Sequence, residues 1–181
     1  MVGPTVQDDL LSILLRFRCH KYVLAADVEK MYRQISVHPS DRHLQQVVWR
    51  DDVGDLIKVY ELNTVTYGTA SAPFLATRCL KQIGLECCNP TISEIITHDF
   101  YVDDLLTGCD DLDKAKFIRS QVTKELASAC MPLRKWKSNE PQLVSDTVSD
   151  SFDLNIGSNE PDKLLGLGWY VNSDELGFPI K

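Results

Sequence analysis

The stretch that most constrains this chain is Phe100-Tyr101-Val102-Asp103-Asp104-Leu105-Leu106-Thr107-Gly108, two adjacent aspartates between short apolar runs. Such runs read as β-strands, which puts the acid pair at or near a hairpin turn. Neighbouring carboxylates repel, and each raises the other's pKa. A fold that gathers them needs cations beside them. Mg²⁺ held through one or two carboxylates and the phosphates of a substrate is the arrangement that phosphoryl chemistry uses. Taken alone, the pair also reads as an ordinary Asx turn.

A second acid lies upstream in Tyr22-Val23-Leu24-Ala25-Ala26-Asp27-Val28-Glu29-Lys30-Met31-Tyr32. An apolar run ends at Asp27 and a helix-like segment follows. A carboxylate at the C-terminal end of a strand faces a crevice more often than a core. If this strand lies beside the 100–108 hairpin, Asp27 and Asp103 can converge on one pair of metal ions. The competing reading makes Asp27 the N-cap of a turn beginning at Val28.

The rest of the chain supplies a sheet and helices to carry these acids. Leu10, Leu11, Leu14 and Leu15 give 6–17 a helical spacing. Residues 21–27 read as a strand and 28–34 as a short helix. Residues 46–50 and 56–62 read as a hairpin around Asp51-Asp52-Val53-Gly54-Asp55. Ser71 is placed to cap a helix over 72–85, with Pro73 in its first turn, and Asn89-Pro90 to end it. A further helical turn is expected over 93–97. Asp110 or Asp111 caps an amphipathic helix whose apolar positions run Leu112, Ala115, Ile118, Val122, Leu126 and Ala129. Pro132 stops it, 133–136 is a short strand, 145–162 is a polar and acidic mobile loop, and 164–171 is a last strand. The order predicts an α+β fold, an antiparallel sheet backed by helices.

Composition bounds the partners. The chain has 181 residues, 44% of them hydrophobic and 25% charged, which suits one globular domain. No apolar run is long enough to cross a bilayer, and Met1-Val2-Gly3-Pro4 does not open a secretory signal. Six scattered cysteines without C-x-x-C argue against a zinc site or a disulfide framework. They suit reduced thiols in an intracellular compartment. His20, His38, His43 and His98 are equally scattered. The net charge of −7 counts against a self-sufficient nucleic-acid-binding protein, which needs a basic face.

Three segments together carry a resemblance. Tyr101-Val102-Asp103-Asp104 resembles the signature of reverse transcriptases. Asp27 with Tyr32 five residues later resembles their first acidic motif, and 65–74 the glycine-to-proline segment between the two. The wording of 26–35, 66–78 and 99–108 is similar to the polymerase of BEL/Pao long-terminal-repeat retrotransposons. The resemblance runs from Gly3 to about Phe178. It implies one partial reverse transcriptase domain over 1–181. In it 1–20 and 36–70 are fingers-like and connecting parts, 21–35 and 71–144 the core of a polymerase palm, and 163–178 a primer-grip-like strand, with the thumb and part of the fingers missing. Basic elements outside this stretch would then explain the acidic charge.

The resemblance also implies roles. Asp27, Asp103 and Asp104, with the backbone carbonyl of Val28, would hold two Mg²⁺ ions, with Mn²⁺ as a substitute. Such a pair sits ~3.5–4 Å apart and activates a primer 3′-hydroxyl for in-line attack on a nucleotide. Tyr32 would exclude a ribose 2′-hydroxyl by bulk. Tyr67 and Gly68 stand where relatives carry a Gln-Gly pair that touches the incoming nucleotide, and Tyr101 would also line the substrate site. Lys135 is a candidate general acid for pyrophosphate, with Arg134 and Lys137 as competitors. Leu167, Gly168 and Trp169 would hold the primer end. Plain packing competes for Tyr32 and for 165–169, and a solvated strand for Lys135. Trp49 and Trp136 read as core or sheet-face residues, and Glu29, Lys30 and Arg33 as surface or ion-pair residues.

The partners so implied are an RNA or DNA template with primer, deoxynucleoside triphosphates, and the protease, RNase H and integrase of a polyprotein, in cytoplasmic virus-like particles. The alternative is a non-catalytic remnant or adapted binding module that keeps the palm fold. A nuclease or phosphatase built on the same acids would lack a water-activating His near them.

Overall fold

The computed structural model describes residues 2–145, 162–165, 167–171 and 173–178. Strand β1 (Tyr22–Val28) is an apolar run that alternates between two cores, and this decides the architecture. Leu24, Ala26 and Val28 face one core, Val23 and Ala25 the other. A strand buried on both faces must lie inside a sheet covered on both sides. It pairs antiparallel with β5 (Asp104–Cys109) on one side and β6 (Leu133–Ser138) on the other, and β4 (Phe100–Tyr101) extends the sheet beyond β5. The strand order is β4-β5-β1-β6. Gly108 serves this sheet by its size, since a Cβ there would lie 2.4 Å from the Tyr22 carbonyl oxygen.

Helices back the first face. α3 (Pro90–His98) and α4 (Leu112–Ser128) pack on the sheet, and α2 (Ala72–Glu86) packs on α3. Of the apolar stripe read for α4, Ala115, Ile118, Val122 and Leu126 are buried, Leu112 is half-buried and Ala129 lies just past the helix end; the Asp111 side chain accepts from the Lys114 amide at 2.8 Å. On the other face, Ile13 and Phe17 of α1 (Leu10–Arg18) enclose Val23, Ala25 and Leu106 together with Trp169. Trp169 belongs to β8 (Leu167–Tyr170), the centre of a small sheet with β7 (Asp162–Leu164) and β9 (Glu175–Gly177). A separate ribbon, β2 (Gln46–Trp49) and β3 (Lys58–Glu61), is exposed along its whole length. No helix among the described residues is long and apolar enough to cross a membrane.

Several local expectations are corrected. α1 starts at Leu10 because Asp9 caps it, its carboxylate accepting from the Ser12 amide at 3.0 Å. Asp27 caps no helix: it lies in β1, and the following 3₁₀ turn, Met31–Gln34, begins after Lys30. Ser71 makes no capping hydrogen bond. Asn89-Pro90 starts a helix rather than only ending one, Asn89 receiving the Ile92 amide at 3.3 Å with Pro90 in the first turn. The segment 164–171 is not one strand. It turns at Leu165, which has φ 52°, into β8. A further 3₁₀ segment, Pro39–Leu44, was not anticipated. Of the two readings of Trp49, core or sheet face, the second holds: it is exposed on the ribbon, its indole N–H donating to Asp51 at 3.1 Å. The expected loop over 145–162 lies, apart from its two ends, outside the described residues.

Candidate active site

The register of the sheet assembles the acids. Asp27, the penultimate residue of β1, stands directly opposite Asp104, the first residue of β5. Side chains directly opposite across a strand pair share a face, and like charges there are destabilising. Asp103 occupies the two-residue turn between Tyr101 and Asp104, and its carbonyl accepts from the Val28 amide at 2.8 Å. The end of β1 is thereby stitched to the turn itself.

That turn is strained. Val102 has φ 55°, a left-handed conformation that two-residue hairpin loops normally assign to glycine or asparagine. A β-branched residue there costs of order 1–3 kcal/mol and persists only where its surroundings over-determine it. One such determinant comes from far away: the Gln7 amide oxygen accepts from the Val102 N–H at 3.1 Å.

The electrostatics follow from crowding. Burial first, then repulsion by Asp103 and Asp27, pushes the Asp104 carboxyl up to about 6. Burial, with a further push from Asp27, also raises Asp103. Asp27 keeps one carboxylate oxygen, Oδ1, buried without a hydrogen-bond partner, while Oδ2 meets the Lys135 ammonium at 3.3 Å. A buried orphan oxygen needs an explanation, and an ion that belongs there is one. The donor set is all oxygen, which suits a hard divalent cation. Among the described residues no three His, Cys, Asp or Glu side chains already converge into a cage.

Lys135 reaches Asp27 through a bulge. Asp27 pairs with Arg134 and Ala25 with Lys137, so residues 135 and 136 together oppose Ala26. Lys135 takes φ 53° at this irregularity. Bulges next to active sites re-aim side chains in this way. Its neighbour Arg134 is engaged by Glu29 at 3.0 Å.

Tyr32 and Tyr67 come together beside Asp103. Their rings lie 4.7 Å apart at 58°, and burial with the nearby Asp103 charge raises the Tyr32 hydroxyl above its ordinary value. Gly68 has φ +84° with open space where a side chain would stand, so conformation rather than crowding calls for glycine. The Gln45 side chain fixes this approach, donating to the carbonyls of Leu62 and Thr64 and accepting from the Thr66 amide at 3.2 Å. Gln7 and Gln45 were missed by sequence reasoning because a long-range amide contact has no local signature. Tyr101 is half-buried against the second core, opposite Asp104.

The 167–169 segment is placed differently from the rest. Gly168 is buried, and the Trp169 ring meets Phe17 edge-on at 5.4 Å while its N–H donates to Asp174 at 3.1 Å. A contact with nucleic acid from this segment would come from its backbone or from Leu167, not from the indole. Trp136 is half-buried against the larger core with the Arg119 guanidinium over its ring.

An antiparallel sheet that gathers three carboxylates at a strand end and a tight turn, backed by helices on one face, has the layout of a polymerase palm. The family profile described as reverse transcriptase (RNA-dependent DNA polymerase) matches residues 5–166, and the chain belongs to that family. Its fold is similar to the foamy viral protease-reverse transcriptase in complex with RNA/DNA hybrid, with a TM-score of 0.62 and 17% identity over 98% of this chain and 20% of that one. It is also similar to a CSH mutant of the prototype foamy virus protease-reverse transcriptase, with a TM-score of 0.58 and 19% identity over 74% of this chain and 16% of that one. The chain thus spans about a fifth or less of these neighbours. No curated protein sequence matches it.

Proposed function

We propose that this chain is the palm of an RNA-directed DNA polymerase of the BEL/Pao retrotransposon type, which adds deoxynucleotides to a primer 3′-hydroxyl on an RNA or DNA template. The observation that carries the reading is the meeting of Asp27, Asp103 and Asp104 at one end of the sheet, within a chain of the reverse transcriptase family. Two bound Mg²⁺ ions would lower the pKa of the primer hydroxyl and neutralise the leaving pyrophosphate. The protein's part is to hold the reactants. Asp27 and Asp103 present carboxylates from different elements, and Asp104 adds charge behind them. Tyr32, backed by Tyr67, limits the space beside Asp103 and disfavours a ribose 2′-hydroxyl. In this reading the Lys135 ammonium, which lies 3.3 Å from Asp27, would give its proton to the pyrophosphate oxygen as the phosphoanhydride bond breaks. The wording of 26–35, 66–78 and 99–108 supports the BEL/Pao assignment. With it come a polyprotein carrying protease, RNase H and integrase, and work in cytoplasmic virus-like particles.

The test is primer extension on an RNA template with deoxynucleotides and Mg²⁺, by the longest protein that the reading frame encodes. Asp27→Asn and Asp103→Asn should each lower the rate by at least about 10²-fold, and Tyr32→Val should raise ribonucleotide incorporation. Extension undiminished in either aspartate variant would overturn the polymerase assignment. An inactive wild-type protein would favour a remnant that keeps the fold alone.

A further inference from the structure

We infer that Lys135 is a displaceable counter-cation for the site: its ammonium holds the Asp27 carboxylate while no divalent ion is bound, and leaves when one enters. The inference rests on the polymerase reading and concerns the same carboxylates. Four observations carry it. Lys135 Nζ lies 3.3 Å from Asp27 Oδ2, the direct ion pair seen at this carboxylate among the described residues. The lysine side chain is 65% exposed and the aspartate 28%, so the cation approaches from solvent and has somewhere to go. The other oxygen of Asp27 is buried and has no partner, so the lysine satisfies only half of this group. The lysine is aimed by a built feature, the β6 bulge with Lys135 at φ 53°.

The physical logic is charge balance. Asp27, Asp103 and Asp104 meet in a partly buried place where unbalanced anions repel. A monovalent cation on a flexible stem lowers that repulsion without filling the site. An exposed lysine pair contributes little and is readily surrendered. A divalent ion brings twice the charge and can engage the orphan oxygen. A fixed Arg fork at this position would be harder to displace, since it binds carboxylates bidentately. Arg134, the residue paired with Asp27 in the register, is instead turned to Glu29. On release, the Lys135 ammonium stays beside the site with its proton, where the incoming phosphates arrive.

Mn²⁺ alone, added to the 181-residue chain at about neutral pH and followed by the electron paramagnetic resonance signal of the free ion, tests this without any need for polymerisation. Lys135→Gln should bind Mn²⁺ on the order of fivefold more tightly than the wild type, because a like charge near the ion is removed. Lys135→Arg should bind no more tightly than the wild type. Without metal, Lys135→Gln should melt at a lower temperature, and Mn²⁺ should raise its melting temperature by more than it raises that of the wild type. Asp27→Asn serves as the reference and should remove most of the binding. If Asp27→Asn weakens binding while Lys135→Gln leaves it unchanged or weaker, the counter-cation inference falls and the polymerase reading stands. If Asp27→Asn binds Mn²⁺ as the wild type does, the ions sit elsewhere and both fall.

Discussion

The β4–β5 hairpin carries a carboxylate at each end, and the two are treated in opposite ways. At the open end Asp99 is largely buried but partnered on both oxygens: Arg16 Nε lies at 3.2 Å and the Thr107 hydroxyl donates at 2.8 Å. Arg16 also binds Asp8 at 3.0 Å and donates to the His98 carbonyl, so the cation is itself held in place. At the turn, Asp103 and Asp104 face Asp27 with two lysines, Lys135 and Lys137, contributing only at longer range to Asp104. Both ends raise a carboxyl pKa, chiefly by burial. At Asp99 side-chain hydrogen bonds from Thr107 and Arg16 oppose the rise, at Asp103 a backbone hydrogen bond does, and at Asp104 only the more distant lysine charges do. A carboxylate that serves the fold is supplied with its cation by the chain. Those proposed to serve chemistry have at most a loosely held, exposed lysine, as Asp27 has in Lys135.

This comparison breaks first at Arg16. Arg16→Ala would strand the Asp99 carboxylate and loosen α1 from the hairpin, and should destabilise the protein by about 2–3 kcal/mol. Urea denaturation measures it. A change near zero would mean that Asp99 is no better served than Asp104.

The opposite sign is expected at the turn. Asp104→Asn removes a repelled charge and should stabilise. The native state holds this proton up to about pH 6, whereas the unfolded chain releases it near the ordinary aspartate value of 3.8. The native state therefore binds more protons across that window, and stability falls as pH rises from about 4 to about 6. The full shift corresponds to about 3 kcal/mol, and solvent screening at a partly exposed carboxyl brings this to about 1–2 kcal/mol. Thermal melts should show Asp104→Asn ahead of the wild type at pH 7 and level with it below about pH 4. A variant less stable than the wild type at pH 7 would show that Asp104 is partnered after all.

How much of this was legible in the sequence depends on the range of the interaction. The strands flanking Asp103 and Asp104, the strand ending at Asp27, and the buried stripe of α4 follow from local apolar patterning, and all are found. The site's acids were legible for the same reason, each sitting where a strand pattern ends. Asn89-Pro90 misled because the same dipeptide that closes one helix opens the next. Arg16, Gln7 and Gln45 act across 83, 95 and 17 to 21 residues of sequence, and no window reveals them. The aim of Lys135 depends on a register shift between two strands, which residue spacing does not encode. Trp169 looked like part of a surface grip because its burial comes from α1, at the other end of the chain.

A smaller effect sharpens the contrast at Val102. Val102→Gly should relieve the left-handed strain and stabilise the chain by about 1 kcal/mol, net of glycine's entropy. The same substitution should weaken divalent-ion binding, because a looser turn holds Asp103 and Asp104 less well. Calorimetry of both quantities checks the pairing. A stabilised variant with unchanged ion affinity would make the strain incidental to the site.

The central claim is that the carboxylates not locked to a cation of the chain, Asp103, Asp104 and Asp27 with its exposed and releasable Lys135 partner, are the ones that take a divalent ion. Amide NMR spectra of the ¹⁵N-labelled chain, titrated with substoichiometric Mn²⁺, read this directly through paramagnetic line broadening. The account predicts broadening centred on Asp27, Val28, Asp103 and Asp104, with Tyr101 affected less and Asp99 and Thr107 largely spared. Broadening centred on Asp99 and Asp8, or on the acidic ribbon loop 51–55, with the Asp103–Asp104 turn left sharp, would contradict it.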